Sequence, residues 1–181
     1  MVSANSPAPN QVQNSVINAL LEAFYDVLDL DGKRSLLDFA GLSELMDSRL
    51  PPRGTSNWGI FLKLLNAMRT LLQFSDRILF EIGRKFSIYL DPCGSSFPDF
   101  IERLNDQFHE LELHITPHSR SEYEITVSAS ENRSALFSDT WMHYFYRGVF
   151  MEGLRKSIGG EIIVDNTQCD DNSLHIIVKS K

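Results

Sequence analysis

The chain has 181 residues, 43% of them apolar, and a formal net charge of −7. That length and apolar content bury one core without metals or disulfides, and nothing long and polar divides the sequence, so one domain over 11–181 is expected after a disordered tail over 1–10. No Lys/Arg cluster rises above the acidic balance, which argues against a nucleic-acid backbone as the partner.

The first residues, MVSANSPAPNQ, carry neither a positive n-region nor an apolar h-region, so no signal peptide is expected. No apolar run approaches the roughly 18 residues of a membrane span, so no membrane insertion is expected. Two cysteines, Cys93 and Cys169, are too few for a disulfide framework. Together these point to a reducing, cytoplasmic setting.

From Val12 onward Val16, Ile17, Leu20, Leu21, Phe24, Val27 and Leu28 fall at helical spacing. Asp29-Leu30-Asp31-Gly32 resembles the opening of a calcium loop, but its twelfth position is Ala40, where a bidentate Glu is required. It is read as a turn into a second helical segment, SLLDFAGLSELM, broken near Gly41. LPPRGTSN is a connection rich in helix breakers. Phe61, Leu64, Leu65, Met68, Leu71 and Leu72 mark the next amphipathic helix.

Asp76 is the expected N-cap of another, RILFEIGRKFSIYL, which DPCGSS ends. Ser96 caps a further helix whose inner face is Phe97, Phe100, Ile101, Leu104, Phe108 and Leu111. Tyr123, Ile125, Val127 and Ala129 then alternate with Glu122, Glu124, Thr126 and Ser128, the period of a half-buried strand. After a loop, WMHYFYRGVFMEGLRKSI is apolar nearly all round, so it predicts a buried helix ended by Gly159-Gly160. Gly148 and Gly153 each cost about 1 kcal/mol relative to Ala inside it, which implies a close backbone approach. EIIVDNT and LHIIV follow as a hairpin whose polar turn holds Cys169. The fold class is therefore α+β, a helical N-terminal layer on a small antiparallel sheet with a long buried C-terminal helix.

The glycines of that helix, Gly159-Gly160, the following strand, Cys169 and the closing strand resemble the 4-vinyl reductase domain family. That family shares a superfamily with the haem nitric-oxide/oxygen-binding domains and the TRAPP tethering subunits. Its members include bacteriochlorophyll-biosynthesis proteins, hence an expected link to photosynthesis, and phenol-sensing domains of bacterial activators. The resemblance implies a homodimeric, cytoplasmic, non-catalytic module that holds a hydrophobic or tetrapyrrole-like small molecule. The alternative it offers is a scaffold protein whose same helix, through Gly148 and Gly153, contacts a protein partner.

Three sites follow. In the sensor members a zinc is held by Cys and Glu residues, and placing this chain on their pattern puts His143, Asn166, Cys169 and His175 at the ligand positions. His143, Cys169 and His175 suit zinc chemically, whereas Asn166 is a poor ligand. Otherwise Cys169 is a small buried residue and the two histidines are structural. LNDQFHELELH resembles the haem-domain helix that supplies the proximal imidazole, which puts that role on His109 as a minor, gas-sensing alternative. The matching Y-x-S-x-R anchor is lacking, and Arg133 has no Tyr and Ser partners. A ligand pocket is expected from Phe86, Phe100, Leu104, Phe108, Trp141 and Phe145, residues that equally suit a plain core. No catalytic fingerprint appears: G-x-S-x-G, H-E-x-x-H, P-loop and dinucleotide motifs are all absent from the sequence.

Overall fold

A computed structural model describes residues 10–73, 75–107, 111–119, 121–129, 141–170 and 173–181. At 111, 112, 129, 141, 166, 167, 169 and 170 it describes the backbone alone. A short ribbon opens the chain, strand β1 (Gln11–Gln13) pairing antiparallel with β2 (Thr55–Asn57). Between them runs helix α1 (Asn14–Ala40), kinked at Asp29, where φ is 61° and ψ −165°. The Asp29 carboxylate accepts from the amides of Asp31 at 2.9 Å and Gly32 at 3.3 Å and so restarts the helix, fulfilling the expected turn. Gly41 stops it in the left-handed region at φ 64°.

Helix α2 (Trp58–Leu72) is capped by Asn57, whose Oδ1 accepts from Gly59 N at 2.7 Å. In α3 (Asp76–Leu90) the cap position is Ser75, so Asp76 sits in the first turn, where its charge favours the helix dipole. Helix α4 (Phe97–Gln107) starts as expected at Ser96, whose Oγ accepts from Asp99 N at 3.3 Å.

The main sheet has the order β3-β4-β6-β5, from β3 (Leu111–Pro117), β4 (Glu122–Ala129), β5 (Ile162–Asp170) and β6 (Ser173–Ser180), with every neighbour antiparallel. Helix α5 (Trp141–Ile158) separates the two hairpins in sequence. The class is α+β, as expected.

Two further expectations change. Leu111 does not extend α4; it opens β3, where Leu111, Leu113 and Ile115 pair with Ala129, Val127 and Ile125. Its seven-residue distance from Leu104 fits a helix, but the alternation with Leu113 and Ile115 fits a strand, and pairing with β4 decides. Cys169 belongs to β5, paired in register with Leu174, and not to the turn.

Helix α5 packs between α3 and the sheet. Its Met142, Phe145, Tyr146, Val149, Phe150 and Leu154 are buried with Ile125, Val127, Leu174, Ile176 and Val178 of the sheet. The crossing of α3 and α5 brings backbone onto backbone. A Cβ at Gly148 would run into the Phe80 carbonyl and lie 2.9 Å from Arg84 N. A Cβ at Gly83 would run into the Phe145 carbonyl, with Phe145 Cα at 3.2 Å. Gly153 faces the Phe100 ring, whose Cδ1 a Cβ would meet at 2.7 Å. Both glycines of α5 are thus in use within the chain, and a scaffold contact through them has no open face there.

Candidate functional site

The face of α5 carrying Met142, Phe145, Tyr146 and Val149 repeats at helical spacing and turns toward the helical layer. Against it stand Phe61 and Leu65 of α2, Phe86 of α3, Leu104 of α4 and Leu113 of β3. Together they enclose an apolar seam. The Phe86 and Phe145 rings are 5.5 Å apart, Phe145 and Tyr146 5.7 Å, and Tyr146 and Phe150 5.8 Å. Burial raises the Tyr146 phenol above its ordinary pKa, so it stays neutral. The free volume is only about 10 Å³, room for about one water.

Of the residues expected to line a pocket, Phe86, Leu104 and Phe145 line this seam. Phe100 is core instead, 2% exposed, facing Gly153 and 6.3 Å from the Phe97 ring. Phe108 lies outside the described residues, and of Trp141 only its place at the start of α5 is described. Sequence reasoning missed Leu113, hidden with its strand. It also passed over Met142, Tyr146 and Val149, although their offsets from Phe145 are those of one helix face. Gly83, the partner of Gly148 across the crossing, went unremarked too.

Charged side chains lock the frame around the seam. Glu152 of α5, 0% exposed, is paired with Arg155 and, at 3.2 Å, with Arg84 of α3. Burial pushes the Glu152 carboxyl up, but the hydrogen bonds and charges of Arg155 and Arg84 outweigh it and hold the pKa below the ordinary 4.5. Asp91, beyond the end of α3, accepts from Ser95 N at 2.8 Å, Ser95 Oγ at 2.7 Å and Arg103 of α4 at 2.9 Å. Burial opposes its charge as well, and Ser95, Arg103 and Lys156 prevail, so its pKa too is lowered. Lys156 of α5 donates to the carbonyls of Ser87, at 3.2 Å, and Ile88, at 3.4 Å, closing the last turn of α3.

The expected zinc set is not brought together. His143 sits on α5, its Nε2 buried and without a hydrogen-bond partner among the described residues. Burial and the Arg147 charge lower its pKa below 6.5, so the ring is neutral at pH 7. His175 lies on β6 between the buried Leu174 and Ile176, so it points to the opposite face of the sheet. There it stands 3.2 Å from Thr126 Oγ1 and 3.1 Å from Ser173 Oγ. Of Cys169 and Asn166 only the register is described, opposite Leu174 and Ile177. Among the described residues no three His, Cys, Asp or Glu side chains form a metal set. Strand register separates what the linear spacing had aligned.

For haem, His109 and Arg133 lie outside the described residues; of LNDQFHELELH the described residues are helix up to Gln107 and strand from Leu111. The walls of the seam have the right chemistry for a tetrapyrrole face, but its volume does not fit one: ligand pockets run to roughly 300–1,000 Å³. Among the described residues no helix is long and apolar enough to cross a membrane.

No protein-family model matches the chain. No curated protein matches it. Solved structures do. An oxygen-binding H-NOX domain related to soluble guanylate cyclases superposes with a TM-score of 0.63 at 14% identity, covering 92% of this chain and 94% of that one. An H-NOX mutant from T. tengcongensis gives 0.60 at 15% identity over 92% and 96%. An Fe(II) unliganded H-NOX mutant from K. algicida gives 0.57 at 14% identity over 93% and 96%. The chain has the fold of these H-NOX domains. The finer assignment to the 4-vinyl reductase family is not among these findings.

Proposed function

We propose that the protein is a non-catalytic binding or sensor module that takes a hydrophobic or tetrapyrrole-like small molecule between α5 and the helical layer. The observation carrying this reading is the seam itself. It is an aromatic cleft at the junction of α2, α3, α4, α5 and β3, in a chain with the fold of H-NOX domains. Because the seam is closed to about 10 Å³, a ligand enters only if those elements part. Its apparent affinity is then reduced by the fraction of molecules that are open.

The experiment is a thermal melt with and without apolar ligands. A ligand at a hundred times its dissociation constant stabilises the folded chain by about 2.7 kcal/mol. No rise in melting temperature with any apolar ligand would return the seam to a simple core. Homodimer formation belongs to the same proposal, and sedimentation at native concentration tests it.

The haem variant of this reading assigns the proximal role to His109. Its test is reconstitution with haem, giving a Soret band that disappears in His109→Ala. When bound, haem would supply the gas-binding iron; this chain's own contribution would be an imidazole and the apolar walls.

A further inference from the structure

Beside α4 lies a second cleft, about 730 Å³ in volume and polar where the seam is greasy. One wall is the loop Pro52, Arg53, Gly54 and Thr55 with Gln13 of β1; the other is Arg103, Asp106 and Gln107 of α4. We propose that this cleft binds a small molecule bearing an oxyanion, a carboxylate or a phosphoryl group, held by Arg53 and Arg103.

Charge is the first argument. In a chain of net charge −7 the described lining residues bring two guanidinium groups to one carboxylate, Asp106. Arg53 has no ion pair among the described residues. Arg103 bonds Asp91 through Nη1 at 2.9 Å, and its side chain is 55% exposed. A guanidinium has five N–H donors in a planar fork that matches the two oxygens of a carboxylate or phosphate, so most of Arg103's donors remain for a ligand.

The wall that carries Arg53 is built. Asn14 Nδ2 donates to Pro51 O at 3.0 Å and Asn18 Nδ2 to Leu50 O at 2.8 Å, while Leu50 N donates to Asn18 Oδ1 at 3.3 Å. Asn14 N donates to Gly54 O and Gly54 N to Pro51 O, both at 2.9 Å. Both asparagines are buried. A side chain at 54 would put its Cβ 2.7 Å from Asn14 Nδ2 and so displace the amide that ties the loop to α1. The Asp91 bond likewise anchors the Arg103 side chain on the opposite wall, so the backbone that carries Arg53 and the Arg103 guanidinium are in place before binding.

Gln107 lies on the same wall as Arg103 and Asp106.

The test uses the full chain, with amide resonances followed during titration with inorganic phosphate and, separately, with citrate, each against sodium chloride at matched ionic strength. Saturable movement at Arg53, Gly54, Thr55 and Gln107 is expected from at least one anion. Response to phosphate identifies the phosphoryl class, and response to citrate alone the carboxylate class. Arg53→Gln should weaken that binding at least about tenfold, the worth of one charge-assisted hydrogen bond, without lowering the melting temperature. Shifts reproduced by chloride, no saturation with either anion, or Arg53→Gln binding as well as the wild type would each overturn the proposal. The seam plays no part in this test, so either site can fail alone.

Discussion

Replacing Gly148 with alanine puts a methyl carbon where the Phe80 carbonyl and the Arg84 amide of α3 already stand, the amide nitrogen 2.9 Å away. Both obstacles are backbone, so no rotamer change relieves the clash; α3 and α5 have to separate. Overpacking of this kind costs typically 1–3 kcal/mol, and a backbone obstacle belongs at the upper end, about 3 kcal/mol. Alanine returns about 1 kcal/mol through its better helix propensity. The net expectation is a loss of about 2 kcal/mol, which for a chain of this size lowers the melting temperature by about 4–8 °C. Urea denaturation and circular-dichroism melts read it directly. Gly83→Ala should cost a similar amount, since it strikes the Phe145 carbonyl, and the double variant less than the sum, because one separation of the helices serves both sites. Gly153→Ala should cost less, since the Phe100 ring it meets can rotate. A neutral or stabilised Gly148→Ala would refute the reasoning, for helix propensity alone predicts a gain of about 1 kcal/mol.

Glu152→Gln should lose about 2 kcal/mol at neutral pH, since Arg84 and Arg155 lose a buried charged partner. The Glu152 carboxyl has a lowered pKa, so its contribution is complete above the ordinary 4.5 and fades as pH falls through the lower folded value. Urea midpoints of wild type and Glu152→Gln should accordingly converge on acidification; a constant gap would contradict the pairing. Leu104→Ala should cost about 2–5 kcal/mol by enlarging the seam, and its melting temperature should respond more to apolar ligands than that of the wild type. Asn18→Ala should cost about 1–2 kcal/mol by leaving the Leu50 amide and carbonyl unpaired, and amide exchange over 50–54 should quicken.

Much of this architecture could be read from residue spacing. The alternation from Tyr123 to Ala129 marked a strand, and the apolar run from Trp141 marked a buried helix, because each signal is local and periodic. Strand β3 was not legible. Leu111 keeps helical step with Leu104, and only the partner strand β4, distant in sequence, decides against the helix. The faces of the candidate metal residues were not legible either, because the face on which His175 lies is assigned by the burial of Leu174 and Ile176 beside it. The pocket was legible in kind and not in size. Phe86, Leu104 and Phe145 would be chosen equally by a cavity or by a closed core, and only packed coordinates show the 10 Å³ that remains. The polar cleft escaped altogether, because Arg53 and Arg103 face one another across it only after α1 has tied down the loop before α2.

The decisive measurement is the native mass of the protein isolated from its own cells, alongside Leu104→Trp, whose indole fills the seam. The account predicts a stoichiometric small molecule on the wild-type chain and bare chain mass for Leu104→Trp. Bare chain for both, or the same molecule retained on Leu104→Trp, would contradict it.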